Sequence, residues 1–185
     1  MQTFKKFLEI TQQEFSLFHN KTQDPKNIFW LKQKLLTLGW SPEFVSYHEK
    51  DDENSGMPFA ELRNVILHIN QYSNPIKTKI NPQTIHMNQE DFKDRDTKYN
   101  QYISGNTSTY FRGNSSDPRQ VNFSNIPPIT IIYNGNTPEI VDGMHRLFLA
   151  KKQELSLINA WVIKQSPNNN PIATEIMNFF KPIQE

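Results

Sequence analysis

PPITIIYNGNTPEIVDGMHRLFLAKKQELSLINAWVI, residues 127–163, carries the signals that decide the fold. Residues 129–133 are β-branched and aromatic, as strands prefer, and NGNTP after them reads as a turn. The short run Glu139, Ile140, Val141 then returns as the second arm of a hairpin. From Met144 the period changes. Leu147, Phe148, Leu149 and Ala150 read as the inward part of a helix, and SLINAWVI, residues 156–163, as another strand. Residues 129–133 and 139–141 are therefore predicted to pair antiparallel, with residues 157–163 in the same sheet and the helix packed on it. A final helix, PIATEIMNFF, places Ile172, Ile176, Met177 and Phe180 on one side. Strand, strand, helix, strand, helix is an α+β order: a small mixed sheet with flanking helices.

Upstream the pattern is helical. Phe4, Phe7, Leu8, Thr11, Phe15 and Phe18 follow the spacing of one helix face. DPKNIFWLKQKLLTLGW then presents Asp24 as N-cap, Pro25 at the first helical position, an apolar series Ile28, Leu31, Leu35, Leu38, and Gly39 as C-cap. Ser41-Pro42 repeats the opening signal for a third helix. HEKDDENSG, with its acids Glu49, Asp51, Asp52 and Glu53, reads as a loop, and Phe59, Leu62, Val65, Ile66 and Ile69 return to helical spacing. Residues 73–127 are rich in Asn, Ser, Thr, Asp and Gly and read as long loops with one short helix, to which Phe92, Tyr99, Tyr102 and Ile103 contribute the apolar groups. The expected division is a helical N-terminal extension over residues 1–72, packed on a core domain over residues 73–185.

Composition sets the outer bounds. With 185 residues and 13 Phe among 12% aromatics, the chain can build a real core despite a mean hydropathy of −0.69. Twenty Lys and Arg against 19 acids leave a net charge of +1, so no overall field draws the chain to nucleic acid. The absence of cysteine excludes disulfides, thiolate metal ligation and thiol catalysis. The N-terminal MQTFKKFLEITQQEF lacks a continuous apolar stretch, and no segment approaches a membrane span, so a cytoplasmic protein without a membrane partner is expected.

The chemistry concentrates at the strand-to-helix corner Asp142-Gly143-Met144-His145-Arg146. Read for stability alone, Asp142 caps the helix, Gly143 permits a tight turn, and His145 and Arg146 are first-turn surface residues. Two cations in the first turn, however, oppose the positive end of the helix dipole. They suit an anion instead. Backbone N–H groups at the helix start, a close approach at Gly143 and an arginine fork together would cradle a phosphate.

At these residues the chain resembles the C-terminal half of ParB/sulfiredoxin-like domains, in which a hairpin, a Gly-x-His-Arg or Gly-Glu-Arg-Arg motif, a helix and a strand follow in this order. The likeness spans residues 126–164, and the helices upstream match no such domain. It implies Gly143, Met144, His145 and Arg146 as the nucleotide-binding corner, and Asp142 as a catalytic or metal-linked acid beside His145 and Arg146. Met144 stands where sulfiredoxin carries its cysteine, so that sulfur chemistry is excluded. The partition proteins' Gly-Glu-Arg-Arg is matched only in part, and no helix-turn-helix follows. The Asp-Gly-x-His-Arg form is closer to the nucleotide-hydrolysing, serine-kinase and DNA-modification branches and to proteins of phages and mobile elements.

Weaker constellations lie elsewhere. YFRGNSSDPR sets Arg112 and Gly113 behind two aromatics, a combination able to stack a base and hold a phosphate. DFKDRD offers Asp91, Asp94 and Asp96 to Mg²⁺, or is a solvated turn. No histidine spacing suggests a structural metal site. Three functions follow as expectations. The first is an enzyme that binds ATP or another nucleotide, with or without Mg²⁺, and hydrolyses or transfers its phosphate. The second is a DNA-acting protein of nuclease or phage-defence type using the same corner. The third is a non-catalytic binding or inhibitor protein that meets a protein partner through Phe4, Phe7, Phe15 and Phe18.

Overall fold

The computed structural model describes residues 11–50, 57–104 and 122–181. Phe4, Phe7, Leu8, Asp51, Asp52 and Glu53 lie outside them. The described residues form seven α-helices and one four-stranded mixed sheet flanked by helices, an α+β fold. The chain divides into two compact units: Met1–Pro75 with Ile163–Glu185, and Ile76–Val162. The boundaries expected from sequence, 1–72 and 73–185, place the last helix differently, since residues 163–185 group with the N-terminal helices.

The first unit is helical. Helix α1, Gln12–Thr22, opens with a capping box in which the Thr11 hydroxyl accepts from the Glu14 N–H and the Glu14 carboxylate accepts from the Thr11 N–H. Thr11 is thus the cap and not a member of the apolar face. Helix α2, Pro25–Leu38, has Asp24 as N-cap and Gly39 at its end with φ 99°, and it buries Leu31, Leu35 and Leu38. Helix α3, Pro42–His48, is capped by Ser41. Helix α4, Arg63–Leu67, continues into a 3-10 turn at Ile69–Gln71, so the β-branched NVILHI is helical, held by burial of Val65, Ile66 and Ile69. The C-terminal helix α7, Pro171–Phe179, packs back on α2, with Trp30 and Phe179 rings 4.3 Å apart and Phe18 of α1 4.7 Å from Phe180.

The second unit holds the sheet. Strands β1 (Ile76–Ile80), β2 (Ile129–Asn134), β3 (Thr137–Asp142) and β4 (Ile158–Lys164) lie in the order β1-β4-β2-β3. β1 pairs antiparallel with β4 and β2 antiparallel with β3, so β4 and β2 make the parallel pair of the mixed sheet. Helix α5, Gln89–Ile103, and helix α6, Met144–Lys152, complete the unit. Its core joins Ile129 and Ile131 of β2, Ile158, Ala160 and Val162 of β4, and Leu147 through Ala150 of α6, with Phe92 and Tyr99 of α5 packed against them. The predicted hairpin, helix and strand are present, with the turn narrowed to residues 135–136 because Asn134, Thr137 and Pro138 belong to the strands, and with the last strand at Ile158–Lys164. β1 and the length of α5 do not follow from the long-loop reading of residues 73–127.

Candidate functional site

The corner is built by the hairpin. Thr130 of β2 pairs with Asp142, but Ile131 pairs with Ile140, so Val141 is an extra residue and β3 carries a bulge before its last residue. A bulge turns the following side chain to the other face of the strand, which changes where the Asp142 carboxylate points. Asp142 accepts from Arg146 Nη2 at 2.6 Å, and it does not cap the helix. Gly143 occupies the N-cap position with φ 90° and supplies no side-chain cap. A Cβ at Gly143 would stand 2.7 Å from Ile129 Cγ2 and 2.9 Å from Arg146 Nε, so both conformation and space require glycine.

Arg146 is engaged by protein oxygens. Its Nη1 donates to the carbonyls of Pro127 at 2.6 Å and Pro128 at 2.9 Å, while Nη2 holds Asp142. One guanidinium therefore ties the approach to β2 to the end of β3 and the first turn of α6. The Asp142 and Arg146 side chains are 17% and 16% exposed, enough withdrawal to make the pair stronger than a surface ion pair.

His145 meets the neighbouring helix. Arg95 of α5 donates from Nη1 to His145 Nε2 at 2.5 Å, which makes Nε2 the acceptor and assigns the ring proton to Nδ1. Partial burial of the ring, then the positive charges of Arg95, Lys98 and Arg146, push its pKa from the ordinary value down to about 4. The residue as a whole keeps a solvent-exposed surface, so water screens the burial contribution, and the three cations are the causes a bound anion would reverse. Three cations thus surround His145 at the start of a nine-residue helix, two of them already paired, Lys98 with Asp94 and Arg146 with Asp142.

The structure brings together Asp142, Gly143, Met144, His145 and Arg146, with Met144 half-buried against the sheet core. Arg112 and Gly113 lie outside the described residues. Arg95 and Lys98 join the corner although DFKDRD reads, in sequence, as a turn or a carboxylate cluster. Helical spacing of Phe92 and Tyr99 was the signal available: if those two face the core, Arg95 and Asp96 fall on the border beside α6. The carboxylates of that run have other partners, Asp94 with Lys98 and Asp96 with Lys152, each at 2.6 Å. Among the described residues no group of three or more His, Asp or Glu is placed to hold a metal ion, and no helix is long and apolar enough to cross a membrane.

Comparison of the chain with family models, with curated proteins and with solved structures finds no match.

Proposed function

We propose that the α6 corner binds the phosphate of ATP or a related nucleotide, and that the protein hydrolyses or transfers that phosphate. The observation that supports this most is His145 kept neutral beside Arg95, Lys98 and Arg146. A phosphate at the same place would offset those charges and favour the protonated ring, so proton and phosphate should bind with mutual reinforcement. In this reading Arg95 and Lys98 neutralise the phosphate, His145 donates to it once protonated, and the first-turn N–H groups of α6 complete the cradle. Arg146 acts as the strut that shapes the corner. Asp142 is the acid at hand for proton transfer or for Mg²⁺, and in either role it must first leave Arg146. The ParB/sulfiredoxin-like order of hairpin, Gly-x-His-Arg, helix and strand supports the same reading.

A DNA-acting protein is the second reading, and α5 weighs against it. Beside the corner this helix carries Glu90, Asp91, Asp94 and Asp96 against Lys93, Arg95 and Lys98, so it offers no contiguous basic face for a long polyanion. The partner surface of the third reading is reduced, because Phe18 is buried and Phe15 lies under the Arg63 guanidinium, 4.5 Å from its ring centre.

Calorimetric titration with ATP and with pyrophosphate, alongside the His145 ring signals in NMR, tests the proposal. Binding should raise the His145 pKa, and Arg95→Met should weaken binding roughly ten- to a hundredfold, the effect of one charge-assisted hydrogen bond. Turnover should require Asp142, so Asp142→Asn should retain binding and lose product formation. Absence of binding at millimolar nucleotide and pyrophosphate would end this reading.

A further inference from the structure

A second place in the sheet-bearing unit has the make-up of a ligand site. The cleft of about 540 Å³ lies between the 3-10 turn Pro82–Thr84, the segment that follows it, the first turn of α5 and the last turn of α6, a size within the range of small-molecule pockets. Ile85 and Met87 close its base but are themselves buried in the sheet core, the half-buried Phe92 ring packs on the fully buried Phe148 at 5.2 Å, and the exposed Thr84 and His86 also line it. Gln83 and Gln89 stand at the rim with amide groups.

Lys151 supplies the charge. Adjacent Lys152 is satisfied by Asp96 at 2.6 Å and lies over the Tyr99 ring. Lys151 instead reaches only the Gln83 carbonyl, at 3.4 Å, and among the described residues no carboxylate pairs with it. That distance is at the weak limit of a hydrogen bond, so the ammonium at the edge of the cleft keeps donor capacity. Burial lowers the Lys151 pKa, the expected cost of holding a charge against apolar walls with no counter-ion.

We propose that this cleft binds a small monocarboxylate with a flat or compact apolar body, its carboxylate on Lys151 and its body on Phe92 and the edge of Met87. One ammonium balances one negative charge, and an apolar floor matches a hydrocarbon body. A phosphate dianion would find one lysine there, with His86 the other basic side chain on the lining. The rim amides of Gln83 and Gln89 then donate to the second carboxylate oxygen.

The test uses benzoate as probe, the full chain labelled at its methionine methyl groups, and the Met87 methyl signal as readout. Benzoate should shift that signal with a Kd in the millimolar range. Benzamide, which has the same shape without the charge, should leave it in place. Lys151→Gln should weaken benzoate binding at least tenfold and Lys151→Arg should retain it, with both variants melting as the parent does. The proposal is overturned by an unmoved Met87 methyl at saturating benzoate, by benzamide binding as tightly, by inorganic phosphate displacing benzoate at equal concentration, or by full affinity in Lys151→Gln.

Discussion

Arg95 and His145 are fifty positions apart in the chain, yet one guanidinium N–H ends on the other's ring nitrogen. Their contact makes the pH response of the corner predictable in sign. The folded His145 pKa, about 4, lies below the ordinary value near 6.5, so the unfolded chain takes up this proton first as pH falls. The stability contribution of the neutral ring is complete above about pH 6.5 and is lost as pH drops through about 4. NMR titration should find His145 still neutral at pH 5, and Arg95→Met should move its midpoint upward by removing the strongest of the three cationic causes. Arg146 behaves otherwise. Its removal in Arg146→Ala would leave the Asp142 carboxylate and two prolyl carbonyls without their donor, costing about 1–3 kcal/mol of stability, readable as a lowered melting temperature. A phosphate contact free of such anchors would leave the melting temperature unchanged.

Helices of this chain differ in how openly they are written. α2 carries its signals locally, with Asp24 accepting from the Lys26 N–H, Pro25 in the first turn and Gly39 at the end. Asp24→Ala should therefore cost about 1 kcal/mol, measured by denaturant unfolding, with no shift of the neighbouring elements. α1 depends on packing as well as on its capping box, because Phe18 is fully buried against Phe180. Phe18→Ala should cost about 3–5 kcal/mol. α5 was obscured by composition: Asp, Lys and Gln dominate it, and its support comes from pairs one turn apart, Lys98 with Asp94 and Asn100 with Asp96, together with the inward Phe92 and Tyr99. β1 offered still less. In Ile76-Lys77-Thr78-Lys79-Ile80 neither face is buried, so no alternation of exposed and buried residues marks it, and only its pairing with β4 makes it a strand.

At the scale of the molecule, the chain leaves the helical unit at Pro75, builds the sheet-bearing unit, and returns at Ile163 to finish the first. α7 is thus required by a unit whose other helices lie more than a hundred residues earlier. Deleting residues 165–185 removes Ala173, Ile176 and Phe180 from a core that includes Leu31, Leu35 and Phe18. The truncated chain should lose cooperative thermal unfolding of the helical unit and bind a hydrophobic dye; an unchanged melt would refute that dependence. The caps of α2 and α3, the hairpin, α6 and β4 are written in local signals, because turn chemistry, capping and hydrophobic period act over a few neighbouring residues. Tertiary structure alone decided that β1 joins the sheet, that α7 belongs with the N-terminal helices, that Arg95 faces His145, and that Arg146 is held by Pro127 and Pro128. Each of these depends on groups distant in sequence meeting at an edge or a helix border, where burial and electrostatics select the partner; the helical spacing of Phe92 and Tyr99 marks the border on which Arg95 lies but not the partner it meets.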